Sequence, residues 1–186
     1  MVLWLALGAG LVTGIGVSRW QGHPYRPPAL QYVWLVFAGF LPQFLAIYLA
    51  NTRVLFPDWL AASCILISQV ALLVFSWFNR RLPGMPVLIV GLMFNLAVIA
   101  ANGGFMPINP QTAERLVGVE RVASLEDGSR FGFKDILLQK SETELEWLAD
   151  RFLPPQWLPY QVAFSLGDVL VGLGVFQVLA NQKLNG

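Results

Sequence analysis

Fifteen of the chain's 23 charged residues fall between Pro110 and Arg151, which leaves eight for the other 144 of its 186 positions. Stretches that run so long without a charge must be buried in lipid, or in a core larger than a chain of this size builds. Composition agrees: 56% hydrophobic residues, 12% charged and a mean hydropathy of +0.59 describe a membrane protein rather than a soluble globule. The net charge of +1 and the lack of a long basic run exclude a nucleic-acid footprint, which needs clustered Lys and Arg for phosphates. The one cysteine, Cys64, excludes an internal disulfide, a Cys-x-x-Cys pair and a multi-thiolate metal site.

Five apolar runs follow, at about residues 1–17, 30–50, 59–78, 84–101 and 158–181. The first has Ala6, Gly10 and Gly14 four residues apart, the spacing of a close helix contact. A cleaved signal peptide competes for this run, but no Lys or Arg precedes its apolar core. A loop with Arg19, His23, Arg26 and Pro27-Pro28 leads to the second run, where Pro42 is expected to kink the helix. After the connector 51–58, the third run carries Trp59 and Trp77 near its ends, as interfacial aromatics do, and Asn79-Arg80-Arg81 closes it. The fourth ends at Asn102-Gly103-Gly104, where two glycines and Met106-Pro107 stop a helix.

Between the fourth and fifth runs, residues 103–156 form a polar insertion. Asn109-Pro110 reads as an N-cap with a first-turn proline, giving a short helix to about Leu116. Asp127-Gly128, flanked by Val119, Val122 and Leu125 and by Phe131, Phe133 and Ile136, suggests a hairpin turn. Ser141-x-x-Glu144 followed by Leu145, Leu148, Ala149 and Phe152 predicts an amphipathic helix ended by Pro154-Pro155. Glu142, Glu146 and Asp150 would share its polar face, which is either solvated or a seat for a hard cation.

Counting Lys and Arg in the short loops sets the expected threading. Arg19, Arg26, Arg80, Arg81 and Lys183 lie on one side and Arg53 on the other. The start of the chain and the insertion are therefore expected outside and the C-terminus in the cytoplasm.

Asp168 is the one charge inside an apolar run. An ionisable group at membrane depth suggests ion or proton chemistry. Against this, Ser165-Leu166-Gly167-Asp168 fits a capping box, so the last helix can begin at Ser165 with the carboxylate on free N–H groups. From Leu166 to Gln182 that helix would be roughly 26 Å long at about 1.5 Å per residue, enough to span. Asn102, Gly103, Gly104, Met106 and Pro107 are expected at the same outer end as Ser165 and Asp168, and together these seven residues are the candidate binding site. Gln43, Gln69, Asn95 and Gln177 are read as interhelical hydrogen-bonding groups. One histidine, His23, cannot make a bis-histidine haem site, and no triad, phosphate-cradling loop or other catalytic constellation is present. The residues name no cofactor and no metal.

Asn102-Gly-Gly-Phe-Met-Pro107, Asn109-Pro-Gln-Thr-Ala-Glu114, and Leu148-Ala-Asp-Arg-Phe-Leu-Pro154 leading into Phe164-Ser-Leu-Gly-Asp168 together resemble an uncharacterised bacterial family of small polytopic membrane proteins, known only as a domain of unknown function. The resemblance implies an integral helical membrane protein and no activity. The expectation is an all-α bacterial inner-membrane protein with five spans, its partners the bilayer and other membrane subunits. Its expected role is that of a non-catalytic auxiliary subunit of a larger membrane assembly, the first host to check being an energy-transducing one, photosynthetic or respiratory. The alternative is a protein that binds or transports a lipid, quinone or other small amphiphile through a pocket around Asn102, Gly103, Ser165 and Asp168.

Overall fold

A computed structural model describes residues 2–48, 57–132, 134–158 and 161–181. Residues 49–56, the side chains of Pro42 and Gln43, and Lys183 lie outside the described residues, so the second connector and the expected Pro42 kink are not described. Five apolar helices, α1 (Val2–Trp20), α2 (Trp34–Tyr48), α3 (Asp58–Phe78), α4 (Met85–Ala101) and α7 (Leu166–Ala180), pack beside a small polar insertion. Of these, α1 and α3 are long and apolar enough to cross a membrane, while α4 and α7 are shorter apolar helices of 17 and 15 residues.

The packing order is α2 on α3, α3 on α4, α4 on α7 and α7 on α1. Glycine makes the closest of these contacts. A Cβ at Gly91 of α4 would lie 2.7 Å from both Gly167 O and Val171 N, and one at Gly174 of α7 would lie 2.7 Å from Leu88 N and 2.8 Å from Gly84 O. Gly84 and Gly91 on one helix thus face Gly174 and Gly167 on the other, each pair seven residues apart, in an antiparallel seam. The far face of α7 meets α1: Gly10 rests on Phe176 and Leu179, Gly14 on Leu179 and Tyr25, and Gly172 on Val2. The small-residue spacing of the first run is therefore used inside the chain, while Gly8 and Gly16 face open space.

Two asparagines finish their helices in the same way. Asn79 follows α3; its Nδ2 donates to Phe75 O and Gln31 O, and its Oδ1 accepts from Gln31 N. Asn102 follows α4 at the other end of the molecule; its Nδ2 donates to Val98 O and Glu144 O, and its Oδ1 accepts from Glu144 N. Each side chain satisfies a helix-end carbonyl and both backbone groups of a distant residue, which pins a loop onto a helix terminus.

The insertion is not all-helical. It holds β1 (Met106–Ile108), α5 (Pro110–Val117), α6 (Val119–Ala123), β2 (Arg130–Phe131) and β3 (Asp135–Leu137), with strand order β1-β3-β2. β1 and β3 run parallel, joined by the α5–α6 crossover, and β2 and β3 run antiparallel. The expected helix at Asn109 is present: the Asn109 side chain accepts from Thr112 N at 2.9 Å, and Gly118, at φ +90°, ends α5. Ile108, Ala113, Val122, Phe131 and Leu137 form the insertion's own core. Met106, Phe105 and Leu148 join Ala61, Ile65, Val98 and Ile99 in the core that welds it to α3 and α4. Arg130 adds a polar tie, bonding Asp58 at 3.2 Å with its guanidinium over the Phe105 ring.

Two expectations are corrected. The hairpin pairs Phe131 with Asp135 and so does not reverse at Asp127-Gly128, which instead turns the chain out of α6; Val119 and Val122 are helical because Gly118 lets a second short helix follow α5 directly. The helix expected from Ser141 is a single 3-10 turn, Glu146–Leu148, preceded by Leu145 at φ +56°. Tertiary partners take the backbone that a helix would use: Asn102 holds Glu144, and Asp150 N donates to Pro107 O beside β1. With no helix, Glu142, Glu146 and Asp150 share no face. The last helix begins at Leu166, on the capping box read at Ser165, directly after Phe152 and Phe164 exchange backbone hydrogen bonds.

Candidate functional site

The start of α7 is a closed ring of hydrogen bonds. Ser165 N donates to Asp168 Oδ2 at 3.2 Å and Asp168 N to Ser165 Oγ at 3.0 Å, completing the capping box. Asn95 of α4 bridges it: Ser165 Oγ donates to Asn95 Oδ1 at 3.0 Å, and Asn95 Nδ2 donates to Asp168 Oδ1 at 2.9 Å. Ser165 and Asn95 are buried and Asp168 half-buried. Both carboxylate oxygens are held by neutral donors, so the Asp168 charge is stabilised but not cancelled.

Near it lies a charged cluster of which the sequence pattern singled out Asp150 alone, and on a helix face that does not form. Lys134 Nζ sits 2.6 Å from Asp150 Oδ2 and 3.4 Å from Asp135 Oδ1, the second an ion-pair distance without hydrogen-bond geometry. Asp150 is fully buried, and its Oδ1 has no hydrogen-bond partner among the described residues. Burial pushes the Asp150 carboxyl up to about 7, against the pull of Lys134, and raises Asp135 as well. Burial alone would lower Lys134, but Asp135 and Asp150, with Asp168 beyond them, outweigh it and raise its pKa well above the ordinary range.

These groups floor a cleft of about 550 Å³ between α1, α7 and the insertion. Lys134, Asp135 and Asp168 provide its charges, and Val2, Leu3, Leu116, Phe131, Val162, Phe164 and Val171 are among its apolar walls. Its size falls within the range of small-molecule pockets, and its mix of apolar walls with a few converging polar groups is theirs too.

Of the seven candidate residues, only Asp168 lines this cleft. Ser165 supports Asp168 from behind. Asn102 is occupied by Glu144, and Gly103, at φ +70°, turns the chain in open space. Gly104, at φ +91°, lies against Ala62 with no room for a side chain. Met106 and Pro107 are fully buried in β1. These residues thus divide into a loop clamp and a cleft floor rather than converging on one pocket. Lys134 and Asp135 escaped the sequence reading because they look like ordinary loop charges; only the parallel pairing of β3 with β1 and the extended Asp150 backbone beside Ile108 bring them together.

The architecture is that of an apolar helical bundle joined to a small α/β insertion, with an amphipathic cleft at the junction. The chain belongs to a family of unknown function (DUF5317), whose model matches residues 28–180. An uncharacterized protein of Thermotoga maritima is 33% identical over 115 residues, covering 59% of this chain and 58% of the relative. The match therefore spans less than two thirds of the relative's length. No solved structure matches the chain.

Proposed function

We propose that this is a five-span bacterial inner-membrane protein, its insertion outside and its C-terminus in the cytoplasm, that binds a small amphiphile in the cleft between α1, α7 and the insertion. Two features support the membrane part. All seven tryptophans are at least half exposed, and they sort to the two ends of the bundle: Trp20, Trp34 and Trp77 at one, Trp4, Trp59, Trp147 and Trp157 at the other. Aromatic belts at two interfaces have this pattern. Large apolar side chains such as Phe37, Ile67, Val70 and Met93 also face outward between the belts, which water would not tolerate over so large a surface. Cysteines placed at Lys140 and Arg81 of a cysteine-free variant (Cys64→Ala) test the threading. An impermeant maleimide added to intact cells should label the first and not the second; the reverse pattern rejects the orientation.

The cleft itself carries the binding reading: its charged floor and apolar walls match a molecule with a polar head and a short apolar body. Native mass spectrometry of gently extracted protein should show a stoichiometric small amphiphile, lost when Val171→Trp fills the cleft. An adduct unchanged by Val171→Trp would reject the site.

A second reading, a non-catalytic auxiliary subunit of a photosynthetic or respiratory assembly, is favoured by an outward groove of about 570 Å³ between α3 and α4, lined by Leu73, Trp77, Phe78, Ile89, Met93 and Ala97 among others. Stoichiometric partner subunits in the same native preparation, displaced by Met93→Arg, would support it.

A further inference from the structure

We infer that the cleft selects an amphiphile with a cationic, amine-type headgroup. This rests on the reading of the cleft as an amphiphile site and specifies its ligand. The lining carries one basic and two acidic groups, Lys134 against Asp135 and Asp168. The basic group is already taken: Lys134 Nζ lies 2.6 Å from Asp150, which sits fully buried behind it. An anionic headgroup would have to displace that carboxylate and leave it uncompensated in the interior. Asp168, by contrast, receives only neutral donors, Asn95 Nδ2 and Ser165 N, and no cation lies within ion-pair distance of it among the described residues. Asp135 has one buried oxygen with no hydrogen bond. A headgroup carrying N–H donors and a positive charge supplies the cation that Asp168 lacks and the hydrogen bond that Asp135, already 3.4 Å from Lys134 Nζ, still lacks, while its chain lies along Val2, Leu3, Val162 and Val171. A neutral headgroup would leave the excess negative charge of the floor unanswered.

The test uses the full chain in dodecyl maltoside and counts one-to-one adducts by native mass spectrometry, with dodecylamine, dodecyl sulfate, dodecanol and butylamine as probes. Dodecylamine is expected to half-saturate at a concentration at least about ten-fold below dodecanol and dodecyl sulfate, equivalent to about 1.4 kcal/mol. Asp135→Asn should erase most of that preference. Val162→Lys, at the exposed rim and away from the cluster, should weaken dodecylamine and strengthen dodecyl sulfate even if the Asp135 variant does not fold. Equal binding of all three twelve-carbon probes, or a preference for the sulfate, overturns the cationic headgroup while leaving the amphiphile site standing. Butylamine binding as well as dodecylamine overturns the lipid-like ligand in favour of a soluble amine. No adduct with any probe overturns the amphiphile reading itself.

Discussion

The α4–α7 seam is the place where one added methyl group should be felt most. A Cβ at Gly91 would meet Gly167 O and Val171 N at 2.7 Å and Leu170 Cβ at 2.9 Å. Comfortable contacts between such atoms begin near about 3.5 Å. Two of the three opposing atoms are helix backbone and cannot swing aside, so the helices must part by roughly 0.8 Å. That movement would also loosen the paired contact at Gly84 and Gly174 and stretch the Asn95 bonds to Ser165 and Asp168. Overpacking of this kind costs about 1–3 kcal/mol, and the better helix propensity of alanine returns up to about 1 kcal/mol. With that return in full, the net loss for Gly91→Ala is about 0–2 kcal/mol, centred near about 1 kcal/mol or roughly 3 °C in melting temperature for a chain of this length. Thermal unfolding in a single detergent should show it against Gly16→Ala, where a Cβ meets nothing within 4 Å and stability should hold or rise. If Gly91→Ala melts at or above Gly16→Ala, the close α4–α7 approach is wrong.

Two further outcomes follow from single side chains. Asn102→Ala removes the two hydrogen bonds that hold Glu144 against the end of α4 and a third to Val98 O, worth about 1–3 kcal/mol together; amide exchange should accelerate around residues 142–149 and not in α7, and unchanged exchange there would discount the clamp. Asp150 titrates near 3.8 ordinarily and at about 7 when folded, so the folded chain holds that proton more tightly. Its contribution to stability is complete below about pH 4 and declines as pH rises toward 7, while Lys134 stays charged in both states. Melting temperature should fall across that window in the native chain and fall less steeply in Asp150→Asn, where Asp135, raised by the same burial, still contributes; parallel curves for the two would exonerate Asp150.

Much of the bundle was legible because charge and hydrophobicity act locally. The ends of α3 and α4 fell where Asn79-Arg80 and Asn102-Gly103 placed them, and the Ser165 capping box needed only four adjacent residues to be read. The insertion was harder for an opposite reason: its elements are too short to stand on local preference. Leu145, Leu148 and Phe152 have helical spacing, yet the backbone between them is claimed by Asn102 and by β1, partners 40 or more residues away. Lys134 and Asp150 are likewise ordinary loop charges until a parallel strand pairing buries them. The α4–α7 glycines carried a signal that went unused: the seven-residue intervals 84–91 and 167–174 are visible in the sequence, but only antiparallel packing shows that they face each other.

Glycine faces let two helices come close, but they are smooth, with few side-chain knobs to stop one helix sliding along the other. Asn95 supplies the missing stop. By completing the cap of α7 from the side of α4, it ties the point where the last helix starts to a fixed height on its neighbour. Translation along the axis would cost both the bridge and the helix start. The cleft floor inherits that setting, because Asp168 stands in the same cap. The height of its carboxylate relative to the apolar walls is gauged by a residue that does not itself line the cleft.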